Sequence, residues 1–286
     1  MTALHKITLR PGTLLALTLA LPLAMLPGIP YANAAGETEQ NNPLSDKGSW
    51  SDLRVDIVGD TDPADAGGII DLTAPYRAND AATVPVTIRQ SGPTAPEIES
   101  AMLVIDENPA PVAAEMTFGP AMHPLDLELR VRVNQYSNVR LIAEIPDGPV
   151  MTGRFVKASG GCSAPATKDP ELALSTMGQI RVKHFMPETE AASARREAQL
   201  MIRHPNYSGL QRDQITQLFI AAHFINQIVV KQGDDLLFTV EGGISLSENP
   251  VIRFAYTDNG AKDLSVHVED TEGNVWEESI AKDPAS

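Results

Sequence analysis

The run Leu125-Asp-Leu-Glu-Leu-Arg-Val-Arg-Val133 puts an apolar residue at every odd position and a charged one at every even position. That period of two predicts a strand with one buried and one wet face, with Arg132 on the wet side. Shorter alternations at Arg54–Ile57, Val84–Ile88, Arg140–Ile145, Gln179–Val182 and Leu264–Val268 predict further strands. Turn formers separate them at Asp147-Gly148, Gln232-Gly233-Asp234, Asn259-Gly260 and Glu272-Gly273. Short strands punctuated in this way predict β-sandwiches. Pro85 lacks the N–H that a ladder needs, so its strand is expected at an edge.

Helical signals are few. Glu188–Gln199 is rich in Glu, Ala and Arg but has no apolar stripe, which favours a solvated linker over a short helix. Asp213–Ile220 is expected to form a turn of helix before a strand from Phe224 to Lys231. The triplet Glu-Asn-Pro occurs at 107–109 and again at 248–250, between strand-like runs in each half of the chain. That faint repeat agrees with two similar sandwiches in tandem.

The first residues follow another pattern. Lys6 and Arg10 precede an apolar run from Leu14 to Leu26, and Ala32-Asn33-Ala34 has the small-x-small form of a signal-peptidase site. The run is shorter than the ~20 residues of a spanning helix, so residues 1–34 are expected to be a cleaved export signal and 35–47 a disordered segment. No second apolar stretch of spanning length follows, so no membrane span is expected in the mature chain. Lys6 and Arg10 leave with the signal and no acidic residue does, so the net charge goes from −15 to −17. A chain this acidic is repelled by nucleic acid and anionic lipid, and a basic protein partner would be steered toward it.

Export gives weight to Cys162, the only cysteine of the chain, in Lys157-Ala-Ser-Gly-Gly-Cys-Ser-Ala-Pro-Ala166. A lone thiol forms no internal disulfide, and an oxidising compartment usually pairs cysteines. Gly160 and Gly161 remove side chains that would shield it or fix the backbone. The stretch has no apolar periodicity to bury, so an exposed, presented thiol is expected in preference to a small core residue. Lys157 and Lys168 are near enough in sequence to lower its pKa.

Other candidates read as structure. His204, in His204-Pro-Asn-Tyr-Ser-Gly209, fits a turn better than a contact to the thiol loop. His123, His184, His223 and His267 lack ligand spacing, and with one cysteine no zinc or iron–sulfur site is expected. Asp106 and Glu107, beside Asn108-Pro109, read as a turn. Asn206-Tyr207-Ser208 matches a glycosylation sequon by spacing alone. Among the residues no nucleophile–base pair or cofactor motif is found, so neither an enzyme nor a cofactor is expected.

The Gly-Gly-Cys segment follows a region containing Val84–Ile88 and Asp106-Glu-Asn-Pro109, and precedes His204–Gly209, Ala222-His-Phe-Ile225 and Ser247-Glu-Asn-Pro250. In that order these segments resemble a SoxY-type domain fused to a SoxZ-type domain, most closely the SoxYZ-like carriers associated with quinoprotein dehydrogenases. The resemblance covers nearly all of the mature chain.

The resemblance implies an all-β protein of two immunoglobulin-like β-sandwich domains in tandem. Residues 48–175 would be the SoxY-like sandwich with the cysteine loop, and 176–286 the SoxZ-like sandwich with a linker near 187–197. It also implies a non-catalytic periplasmic carrier of sulfur compound metabolism and thiosulfate oxidation. In that family the SoxY arm, Gly-Gly-Cys-Gly-Gly, holds the sulfur intermediate covalently; the matching residues are Gly160, Gly161 and Cys162. Expected partners are periplasmic redox or sulfur-processing enzymes, a quinoprotein dehydrogenase system among them, and SoxY–SoxZ pairing becomes intramolecular. Here Ser163-Ala164-Pro165 replaces the last two glycines and the chain continues, so the thiol would ride on a loop tethered at both ends. The alternative is a binding or assembly module in which the thiol is incidental.

Overall fold

In the computed structural model, residues 42–45, 47–165, 170–185 and 195–282 are described; the expected export signal lies outside them. The first half contributes β1 (Ala64–Asp65), β2 (Ile70–Thr73), β3 (Val84–Gln90), β4 (Ser100–Ile105), β5 (Val112–Phe118), β6 (Asp126–Val131), β7 (Ser137–Ile145) and β8 (Gly148–Val156). The second contributes β9 (Ile180–Phe185), β10 (Arg195–Ile202), β11 (Ile225–Gln232), β12 (Asp235–Gly242), β13 (Val251–Thr257), β14 (Asp263–Asp270) and β15 (Val275–Ala281). The architecture is immunoglobulin-like β-sandwich, as the alternation requires.

The halves join edge to edge. Among the described residues one sheet runs β1-β8-β7-β4-β5-β12-β11-β14-β15 and the other β2-β3-β6-β13-β10-β9, so each sheet passes from the first half into the second. At one seam Phe118 faces Phe238, Met116 faces Val240 and Ala114 faces Gly242; at the other Leu127 faces Phe254. The two sandwiches are thus joined by strand pairing, and their apolar interiors run together. The reason is that β5 and β12 each present an unpaired ladder edge, and pairing satisfies the backbone while merging the interiors. Phe238 and Phe254 meet edge-on at 4.9 Å between ring centroids inside one continuous apolar core.

Several local expectations are corrected. Arg54–Ile57 lies within a helix, α1 (Trp50–Val58), because four alternating residues cannot distinguish the two periods. Its start is fixed by Ser49, whose carbonyl accepts from Asp52 N and Leu53 N and whose N–H donates to Glu107 Oε1 at 2.7 Å. The Arg140 guanidinium lies over Trp50, 4.3 Å from the ring centroid. Strand β3 is internal to its sheet, not an edge. Pro85 is nevertheless tolerated, since the β2–β3 ladder stops at Thr73–Thr87 and leaves Pro85 paired on the β6 side only.

Residues 188–194 of the expected linker lie outside the described residues, but Arg195–Gln199 belongs to β10. There Ala198, Leu200 and Ile202 face the core, and pairing with β9 and β13 overrides the helix-forming composition. The expected turn of helix at Asp213–Ile220 is a single turn, closed by Gln217 N donating to Asp213 O at 2.9 Å, inside a loop bridged by Arg212 and Phe219. Its Asp213 Oδ1 accepts from Ile215 N and Thr216 N. The apolar run there is not buried: Ile215, Leu218 and Phe219 are exposed. At the other end, the segment expected to be disordered is tied down from residue 42. Asn42 Nδ2 donates to Phe155 O at 2.8 Å, and Ser45 N donates to Asn138 Oδ1 at 2.7 Å. Among the described residues no helix is long and apolar enough to cross a membrane.

Candidate functional site

Cys162 sits in a single 3-10 turn, Gly161–Ser163, that follows β8. Contrary to the exposed thiol expected from its glycines, it is fully buried. The glycines serve that burial. Gly160 takes a left-handed conformation, φ 78°, which lets the chain turn inward. Gly161 is pressed so closely on the first sandwich that a Cβ would lie 2.1 Å from Ala81 O and 2.6 Å from Val133 O. Absent side chains here mean close approach to backbone, a reading that sequence alone cannot separate from flexibility.

Both halves hold the loop. From the first, Asn134 O accepts from Gly160 N at 2.8 Å and Val133 O from Gly161 N at 3.1 Å. From the second, Ser208 Oγ donates to Cys162 O and Gln211 Nε2 donates to Ala164 O at 3.1 Å. Ser208 is itself set by Gln211, whose Oε1 accepts from Ser208 N at 3.1 Å. The loop is therefore tethered at both ends and clasped in the middle.

Arg132 directly precedes the Val133 whose carbonyl holds Gly161. Strand β6 ends at Val131, so the alternation that would have put Arg132 in water ends one residue too soon. Ser245 O takes its N–H at 2.7 Å, and the segments 206–208 and 244–246 close over its side chain, leaving the residue 1% exposed. Nη1 donates to Asn206 O at 2.7 Å, Leu246 O at 2.8 Å and Ile244 O at 3.2 Å. Nε has no partner. Among the described residues no carboxylate lies within ion-pair distance of this guanidinium.

Burial pushes the Cys162 thiol above its ordinary pKa, and the charge of Arg132 pulls it partly back. Burial lowers Arg132 in turn, against the opposing pull of Cys162 and Glu248. Burial also raises Glu248, against the pull of Arg132, and raises Tyr207, with Glu248 adding to the rise. Lys157, a candidate to activate the thiol, lies over the Tyr76 ring, 4.5 Å from its centroid; Lys168 lies outside the described residues.

The scattered histidines are partly gathered. His204, His223 and Asp270, 66 residues apart at the extremes, form a buried cluster, which their spacing did not signal. His223 Nε2 lies 2.6 Å from Asp270 Oδ2 and His204 Nε2 lies 3.4 Å from it. Asn206 N donates to His204 Nδ1 at 3.0 Å, which fixes the lone pair there and, in the neutral ring, the proton on Nε2. His204 thus offers Asp270 an N–H where a cation would need a lone pair. Asn274 Nδ2 also donates to Asp270 Oδ2, at 2.8 Å. The cluster fits a hydrogen-bonded tie better than a metal centre. Burial holds His204 down to about pKa 4, and hydrogen bonds from Asn274 and His223 hold Asp270 well below the carboxylate range despite burial.

Asp106 is engaged with Arg140 Nε at 2.9 Å in a buried ion pair, so it is structural. Asn206 of the sequon is buried, with Nδ2 donating to Ser247 O, and is no glycan acceptor in this fold.

Comparison with known proteins decides the family. The family described as sulfur oxidation protein SoxY matches residues 54–162, and that described as sulphur oxidation protein SoxZ matches residues 182–281. The chain is a fusion of a SoxY domain and a SoxZ domain. SoxY and SoxZ are non-catalytic sulfur carrier proteins. No curated protein matches the chain. A solved structure of the sulfur carrier protein SoxY from Chlorobium limicola f thiosulfatophilum is similar at 24% identity, with a TM-score of 0.32, over 37% of this chain and 89% of that one. In this SoxY–SoxZ fusion the clasp on Cys162 comes from the SoxZ part, through Ser208 and Gln211.

Proposed function

We propose that the chain is a periplasmic covalent carrier in which Cys162 is the attachment point for a sulfur intermediate. The observation that carries this reading is the position of Cys162. It is the last residue of the SoxY match, directly after Gly160 and Gly161, and is held by side chains of the SoxZ part. A thiolate attacks an oxidised sulfur, the adduct stays on Cys162, and a partner enzyme later removes it. A buried thiol with a raised pKa is a poor nucleophile, so loading requires the clasp to open. Closed, the loop protects thiol or adduct; open, it presents them. The export pattern of residues 1–34 supports the periplasm, and the resemblance supports sulfur-processing enzymes and a quinoprotein dehydrogenase system as partners.

Incubation with tetrathionate tests this reading. The thiolate attacks a bridging sulfur, a new S–S bond forms on Cys162, the central S–S bond breaks and thiosulfate leaves with its electron pair. Intact mass should show one adduct that a reductant removes, and Cys162→Ala should show none. A wild-type protein that stays unmodified over hours at pH 8 would count against a carrier. The second reading, an assembly module with an incidental thiol, is favoured by the exposed Ile215, Leu218 and Phe219. They belong to the loop that, with Ser163 and Pro165, lines a surface hollow beside the cysteine turn.

A further inference from the structure

We propose that Arg132 is a positioning residue that makes the closed seat of Cys162 select for negative charge, so that an anionic occupant is retained where an uncharged one of the same size releases the clasp. This deepens the carrier reading and rests on it. A guanidinium taken out of water costs several kcal/mol unless charge and hydrogen bonds compensate it. Arg132 is 1% exposed, its Nη1 meets only carbonyl oxygens, and its Nε meets nothing. The buried Asp106–Arg140 pair is the contrast, since there the carboxylate sits directly on the guanidinium.

The connections of Arg132 lead to the thiol from two sides. Its neighbour Val133 accepts from Gly161 N, one residue before Cys162. Its Nη1 holds Asn206 O, two residues before the Ser208 that bonds Cys162 O. The ionisable groups facing this region are Cys162, Glu248 and Tyr207, with the His204–His223–Asp270 cluster beyond Asn206. Glu248 feels the pull of Arg132 but makes no ion pair with it; its Oε1 accepts from Asn249 Nδ2 at 3.2 Å, and Arg203 also pulls on it. The group best placed to supply the missing negative charge is whatever Cys162 carries. A thiolate, a persulfide anion or a sulfur oxyanion adduct would do so, and a neutral adduct would not.

Two alkylations differing only in charge provide the test. Iodoacetate and iodoacetamide each form an S–C bond to Cys162 and expel iodide, leaving a carboxymethyl or a carbamidomethyl group of equal heavy-atom count. Hydrogen exchange of amides 160–164 and 207–211 should remain slow in the carboxymethyl protein and become at least about tenfold faster in the carbamidomethyl protein, the factor of one pKa unit of coupling. Arg132→Lys should keep this difference and Arg132→Gln should erase it. Arg132→Gln should also move the midpoint of the alkylation pH–rate profile up by about one unit. Equal exchange in the two wild-type adducts overturns the proposal even if Arg132→Gln fails to fold. So does an unmoved profile in a folded Arg132→Gln protein. The carrier reading fails separately, if tetrathionate leaves wild-type Cys162 unmodified.

Discussion

Two buried polar clusters flank the strand-free segment 204–208, and they are built on opposite principles. On one side His204, His223 and Asp270 form a network in which Asp270 Oδ2 takes both histidines and Asn274, while His204 Nδ1 takes Asn206 N. On the other side Arg132, whose charge acts on Cys162, has no carboxylate within ion-pair distance among the described residues, and its Nε lacks a partner. The first is a tie that fixes the SoxZ part of the clasp. The second, in the proposed reading, awaits negative charge on Cys162, and the contrast is between a satisfied network and an unsatisfied one.

Acid should separate the two clusters most strongly. His204 has its pKa lowered in the fold, from about 6.5 in the unfolded chain to about 4. The unfolded state therefore binds more protons in that window, and the contribution of His204 to stability is full above pH 6.5 and lost as pH falls toward 4. The expected loss is about 3 kcal/mol, readable as a falling midpoint in urea melts. His204→Asn should flatten the slope. Asp270, also lowered, adds a loss only further down, as pH falls below its unfolded value of about 4. A wild-type slope that the variant leaves unchanged would mean the cluster is not the tie described here.

Next in size is Gly161→Ala. Its new Cβ would strike the backbone at Ala81 O and Val133 O, where no side chain can yield. Overpacking of this kind costs about 2 kcal/mol. Because the loop can leave its seat, that penalty should appear as opening, with Cys162 alkylation roughly thirtyfold faster while the acid slope from His204 is kept. If alkylation is unchanged and global stability falls instead, the loop and sandwich do not move separately.

Ser208→Ala is the smallest step. It removes the hydroxyl that donates to Cys162 O and accepts from Leu210 N. A net loss of about 1 kcal/mol should speed alkylation about fivefold. An alkylation rate equal to wild type would place the gate elsewhere, most simply with Gln211 and Ala164.

Most of the β architecture was legible along the chain, since period-two alternation is a property of each strand alone: Asp126–Val131 and Leu264–Val268 alternate between buried and more exposed positions, and Arg140–Ile145 is a strand although its first four residues are all buried. The sequence by itself also singled out Cys162 and its glycines, because composition and uniqueness need no partner. Tertiary structure decided the rest. Which strand edges meet is set by backbone pairing between β5 and β12 and between β6 and β13, to which side-chain periodicity is blind. Whether Gly161 means mobility or close approach depends on Ala81 and Val133, remote in sequence, and whether Arg132 meets water depends on segments 206–208 and 244–246. Such contacts join residues far apart along the chain, and no local pattern records them.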